Sequence, residues 1–300
     1  MSQLLRQPTL FDISRLILVG AIWGGVFIFI SIALNDFGPV SIATWRVSLG
    51  ALVLLIITLI SAQGLPTGRK NWGYIVIVGC CNSAIPFFLI SWGQQFISSA
   101  ETALLLAMGT FCSLVVSHFT STDERINSAR LIGVSVGFLG VLILVIWDLY
   151  AFGFGALAGQ MAVIVAGCSY AISSVLSRRL THLPMIPTSA ATMLSACLYM
   201  IPLALWLENP FPQHVSNASI VALVYLGVVA TAFGMTLRFF IIRANGAVFM
   251  ALVGYLVPLF GVIFSALYFT DELKMQTLVS LAFIMAGIAI TRQGSKQPAG

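Results

Sequence analysis

Charge is what this chain has least of. Nine acidic and fourteen basic side chains in 300 residues make 8% charged, against 59% hydrophobic. A soluble domain carries about 25% charged residues. So little charge cannot cover a water-facing surface, so most of this surface is expected to face a lipid bilayer. The net charge of +5 is spread between apolar blocks rather than gathered in a patch, which argues against a nucleic-acid partner. No GxxxxGK[ST] phosphate cradle and no HExxH zinc helix occurs, so neither an ATP-driven engine nor a zinc protease is expected. His118, His182 and His214 are scattered. The five cysteines lie in apolar segments, without a CxxC pair or a histidine at ligand spacing, and read as buried thiols. No cofactor, metal or catalytic dyad is expected, hence no enzyme. The first apolar run, Leu16–Leu34, is too long for a signal peptide core, and no small-residue cleavage site follows it.

What is present is long apolar runs. A helix needs about 20 apolar residues to cross the hydrocarbon core. Such windows fall near 15–34, 40–60, 72–96, 101–119, 128–147, 156–179, 187–207, 218–241, 246–268 and 275–292. Backbone groups in lipid must be satisfied within a helix or a closed barrel, and these runs lack period-two alternation. The expectation is an all-α membrane protein of ten transmembrane helices. With the N-terminus placed in the cytoplasm, eleven Lys and Arg fall inside, Lys274 alone falls outside, and Arg46 and Arg238 fall within spans. That bias predicts cytoplasmic termini under the positive-inside rule. Trp72, Trp147 and Trp206 stand at span ends, where amphipathic rings settle.

The scarce acids are written in a repeat. "TDER" at Thr122–Arg125 returns as "TDEL" at Thr270–Leu273, 148 positions on. Pro39-Val-Ser-Ile-Ala-Thr44 returns as Pro187-Thr-Ser-Ala-Ala-Thr192, and Gly79 as Gly227, at the same offset. Several matches at one spacing mark a duplicated unit. The reading is two five-helix repeats, residues 15–147 and 156–292, between short cytoplasmic segments 1–14 and 293–300. Five is odd, so the second repeat is inverted in the membrane. Inverted repeats supply the symmetry that alternating access uses.

These features resemble the drug/metabolite transporter superfamily, and within it the EamA family. The resemblance rests on Trp23-Gly24, "TWRVSLGALVLL" with Arg46, "ISSAETALL", "TDER", "GVSVGFLGVLIL" and "RANGAVFMALVGYLVPLFGVIF" before "TDEL", over residues 15–292. Within the family the chain most resembles bacterial aromatic amino-acid exporters. The resemblance implies a bacterial inner-membrane carrier for small molecules. One departure is that span four has Thr110 where the family often has a proline, as Pro258 stands in span nine.

Intramembrane polar groups are the candidate site. Arg46 lies about 10 Å below the start of its span at 1.5 Å per residue. A charge there is costly, so it is either functional or paired with a carboxylate such as Asp36 or Glu101. Glu101 suits the first turn of a helix, where the dipole favours an acid. Arg46, Glu101 and Pro258 are assigned to gating or structure. Trp23 stands among Gly20, Gly24 and Gly25. Asn82 and Pro86 share one helix face, as do Ser169 and Ser173 beside Tyr170. Thr231 and Tyr255 add to the set, with Thr110. Each Ser or Thr can instead bond back to its own i−4 carbonyl. Gly133, Gly137, Gly140, Ala286 and Gly287 suit close helix contact, either within the chain or in self-association through spans five and ten. No Asp or Glu lies at mid-span, which disfavours proton/cation antiport. The leading expectation is export of neutral, zwitterionic amino acids and related metabolites. A carrier of another solute (a nucleotide sugar, a purine or a cationic drug) and a non-transporting scaffold stay open.

Overall fold

The computed structural model describes residues 8–120, 127–152, 154–269 and 274–293. Both "TDE" triplets lie outside these residues. Among the described residues, eight helices are long and apolar enough to cross a membrane: α1 (Leu10–Ala33), α2 (Pro39–Ile60), α3 (Arg69–Gly93), α4 (Ser99–Thr120), α5 (Ser128–Trp147), α6 (Phe154–Leu180), α7 (Met185–Leu207) and α8 (Asn217–Gly246). Two shorter apolar helices follow, α9 (Val253–Phe269) and α10 (Met275–Thr291). No strand occurs among the described residues.

Local chemistry sets several helix ends. Thr9 and Asp12 form a reciprocal capping box that starts α1, five residues before the expected span. Ser98 and Glu101 do the same for α4. Each box satisfies backbone donors that the first turn leaves free. Pro39 opens α2, where its missing N–H is no loss.

The expected ninth span from 246 to 268 is shorter in the structure. Gly246 adopts φ 86°, a conformation open to glycine, and interrupts the chain there. A turn at Ala251–Leu252 follows, and α9 begins at Val253. α9 runs unbroken through Pro258, whereas the proline-free α4 breaks at Ala107. There Ala107 N–H bonds to Leu104 and Thr110 N–H to Ala107, both tight i→i−3 bonds.

Packing between helices follows a pattern. α1 packs on α8 and α9, while α6 packs on α3 and α4. α2 packs on α7 and α8, and α7 on α3. Adding five to each number of one half, and subtracting it in the other, maps these pairs onto one another. α5 packs on α10. A Cβ at Gly287 would come within 2.5 Å of the Gly137 backbone nitrogen, so only hydrogen fits at that crossing. The small-residue faces of α5 and α10 therefore close on each other within one chain.

Leu10, Ile60, Phe119, Phe154 and Leu198 all project outward, as lipid contact requires. Inside, Phe27, Ile30, Ile42, Leu104 and Leu226 are sealed from solvent. Buried among them are Arg46, Ser169, Ser173 and Thr231. The apolar exterior departs from that of a soluble protein, while the mostly apolar interior leaves its few polar groups dependent on one another.

Candidate functional site

Two helices depart from α geometry at the centre of the fold. Cys80–Ala84 of α3 and Tyr225–Phe233 of α8 are π-helical turns, in which each N–H reaches back five residues. In α3, Ile85 N–H bonds to the Cys80 carbonyl in this register. The next donor would be Pro86, which has none, so the Cys81 carbonyl loses its helical partner. Ser169 Oγ of α6 donates to that carbonyl at 2.7 Å. One turn along, Ser173 Oγ donates to Asn82 Oδ1 at 3.2 Å. The expectation that these serines bond back along their own helix is thus corrected. Both reach across from α6 to α3.

In α8, Thr231 Oγ1 donates to the Leu226 carbonyl five residues back, at 2.8 Å. The same oxygen accepts from Arg46 Nε of α2 at 3.2 Å. The Arg46 guanidinium carbon stands 3.7 Å from the Phe87 ring centroid, on the turn of α3 after Pro86. Trp23 Nε1 of α1 donates to the Ala230 carbonyl, within the π turn of α8, at 2.9 Å. Tyr225 Oη donates to the Ile22 carbonyl at 2.8 Å, and its ring stacks on Phe29 at 3.8 Å.

Five helices thus bring together Trp23, Arg46, Asn82, Pro86, Ser169, Tyr170, Ser173 and Thr231. Tyr170 packs against both apolar clusters that flank this centre. Thr110 and Tyr255 lie elsewhere. Tyr255 packs in the cluster that includes Leu104, Met108 and Phe111, and Thr110 approaches Gly254 across the α4–α9 seam. Pro258 is buried in α9. On the far side of α4, the free thiols of Cys112 and Cys168 approach to 2.7 Å between α4 and α6.

The carboxylates expected to pair with Arg46 are engaged elsewhere. Glu101, buried, serves its capping box. Asp36 accepts from Ser216 N–H at 3.0 Å and Ser216 Oγ at 2.6 Å. With the Ser219 hydroxyl, these bonds hold the Asp36 carboxyl below the usual carboxylate value, the Ser216 hydroxyl contributing most. Nor does Arg46 snorkel outward, since it is only 7% exposed.

Sequence reasoning missed the latch at one end of the bundle. Glu208, after α7, receives Val40 N–H at 3.1 Å and Ser41 N–H at 2.8 Å, capping α2 from the other half of the chain. Asp36, after α1, anchors the first residues of α8 in return. Trp45 Nε1 donates to the Pro210 carbonyl between them, at 3.0 Å. The signal available was an acid beside a Pro-initiated helix, but nothing local joins Glu208 to Pro39. Nearby, a polar concavity of about 270 Å³ is lined by Gln94, Ser98, Glu101 and Lys274. An apolar groove of about 480 Å³, lined by Leu139, Ile143, Trp147 and Phe283, runs along the outer face of α5 and α10.

These features define a multi-pass membrane protein whose interior polar groups are shared between helices from both halves. The model of the EamA-like transporter family matches twice, at residues 11–146 and 157–293. The chain belongs to that family. It is similar to the "Uncharacterized transporter YoaV" of Bacillus subtilis, 22% identical over 91% of this chain and 94% of the other. It is also similar to the "Probable amino-acid metabolite efflux pump" of Escherichia coli, 24% identical over 91% and 92% of the two chains. A solved crystal structure shares the fold, with a TM-score of 0.69 at 18% identity over 95% of this chain and 98% of that one.

Proposed function

We propose that this transporter exports amino acids, neutral and aromatic ones foremost, together with related metabolites, across a bacterial inner membrane by alternating access. The observation that carries the reading is the polar centre built from both halves, where Arg46–Thr231 and Asn82–Ser173 bonds lie in an otherwise apolar interior. The named efflux-pump relative supports amino-acid substrates. The Trp23, Tyr170 and Tyr225 rings around that centre support aromatic preference.

In this reading residues 15–147 and 156–292 are inverted five-helix repeats, and both termini are cytoplasmic. Three observations support it: the interchange of helix pairs between halves, the π turns at matching places in α3 and α8, and the double family match. The latch formed by Asp36, Glu208 and Trp45 then closes the outer end, and its opening admits solute on that side. Trp23, Asn82, Ser169, Tyr170, Ser173 and Thr231 contact substrate. Thr110 and Tyr255 act from the α4–α9 seam, with Pro258 structural. The protein transports without chemical conversion.

Purified protein in liposomes tests the reading. Neutral amino acids should move, and Trp23→Ala and Asn82→Ala should lower flux more than Ser177→Ala at matched protein levels. Movement of a phosphorylated solute in place of amino acids would defeat the substrate assignment. Cysteine labelling at positions 125 and 274 should report opposite compartments, and one shared compartment would defeat the inversion.

A further inference from the structure

Arg46 has unfinished hydrogen bonding. Guanidinium carries five N–H donors and stays charged in proteins. Nε is used by Thr231. Neither terminal nitrogen has a hydrogen-bond partner among the described residues, and neither belongs to the sealed polar atoms without one, such as Ser41 Oγ, Ser83 Oγ and Gln94 Oε1. Part of the 7% exposure that Arg46 retains therefore lies at its terminal nitrogens. The Phe87 face at 3.7 Å balances part of the charge. Asp36, Glu101 and Glu208 are committed to helix starts. The centre thus holds one net positive charge and an open two-pronged donor.

We infer that Arg46 is the substrate-reading group of the centre, and that it recognises a carboxylate. This rests on the carrier reading above and names the chemical feature its substrates must share. Two parallel N–H groups match the two oxygens of a carboxylate, and charge-assisted pairs of this kind are the strong ones. One carboxylate neutralises the site, whereas a phosphate monoester dianion leaves excess negative charge. Organic cations meet an unshielded like charge and are rejected. Among the described residues no carboxylate lies at the centre to hold an ammonium, so the substrate's carboxylate is the selected group and its amine is not. Thr231 fixes the fork by holding Nε, and Phe87 fixes its plane. Phe87 is a positioning residue, and Thr231 positions Arg46 in addition to its own contact with substrate.

The test uses three compounds with one side chain: L-phenylalanine, N-acetyl-L-phenylalanine and L-phenylalaninamide. Each competes with labelled L-phenylalanine flux in proteoliposomes, and each is scored for thermal stabilisation of the detergent-purified protein. Wild type should accept the first two within about threefold of each other and reject the amide by about tenfold or more, because the amide leaves the fork unpaired. Arg46→Gln should reduce the acid-to-amide preference to within about threefold, and Arg46→Lys, with charge but no fork, should fall between. Thr231→Val should weaken binding of both acids and keep the preference. An amide that competes as well as the acid overturns the inference. So does Arg46→Gln with the wild-type preference, or phenyl phosphate stabilising better than N-acetyl-L-phenylalanine. If Arg46→Gln does not fold, the wild-type pattern decides alone. Absence of flux with selective stabilisation by the acids would overturn the exporter reading and leave this inference standing.

Discussion

In α3 the π turn runs into Pro86, and the carbonyl it leaves open is filled by a hydroxyl from another helix, Ser169 of α6. In α8 the π turn carries its own hydroxyl, Thr231, which adds a second donor to the carbonyl five residues back and still has a lone pair for Arg46. The backbone device is the same in both halves. The chemistry around it is not. The first turn is tied off by a neighbour and serves as a clamp between α3 and α6. The second is self-contained, and its surplus acceptor holds a charge. One backbone geometry at two places thus takes two different kinds of partner.

Thr231→Val should have the largest effect, because it leaves Arg46 Nε unpaired and strips the Leu226 carbonyl of its side-chain donor, leaving it only the backbone N–H of the π register. A loss of about 2–3 kcal/mol is expected from burying such groups without partners, read by reversible unfolding in detergent. Thr231→Ser should restore most of it. A neutral Thr231→Val would show that the α8 turn does not depend on its hydroxyl.

Ser169→Ala comes next, at about 1–2 kcal/mol. Its cost should shrink in a Pro86→Ala background, where an N–H can return to the helix. A double-mutant cycle measures this. Additive losses would separate Ser169 from the proline and end the comparison drawn here.

Ser173→Ala should cost less, about 0.6 kcal/mol, the average for one hydrogen bond between helices in lipid. Asn82→Ala should cost a similar amount, and the double variant no more than either alone.

The smallest effect is at the latch. The Asp36 carboxyl is held below its ordinary value, so its contribution is present above the unfolded carboxylate pKa. It is lost as pH falls through the lowered folded value. Asp36→Asn should melt below wild type at neutral pH and match it in acid. A gap that persists in strong acid would mean that Asp36 acts through packing instead.

Hydropathy alone located nearly every helix, because a bilayer demands about 20 apolar residues whatever surrounds them. It erred where glycine intervened. The run from 246 is apolar, but Gly246 at φ 86° breaks it, and apolar content says nothing of a dihedral angle. Glu101 was legible as a first-turn acid because its partner, Ser98, is three residues away. Ala107 carries no breaking signal and yet stands at a break, while α9 runs unbroken through Pro258.

What the sequence by itself determined is that the chain belongs in lipid, that it is helical, and that a few interior polar residues must find partners. The partners themselves were decided by tertiary structure alone. Arg46 meets Thr231 from 185 residues away, and Glu208 caps a helix 168 residues earlier. Local pattern encodes solvent and secondary structure, because those depend on neighbours in sequence. Which buried polar groups satisfy one another depends on helix crossings, and those exist only once the bundle has closed.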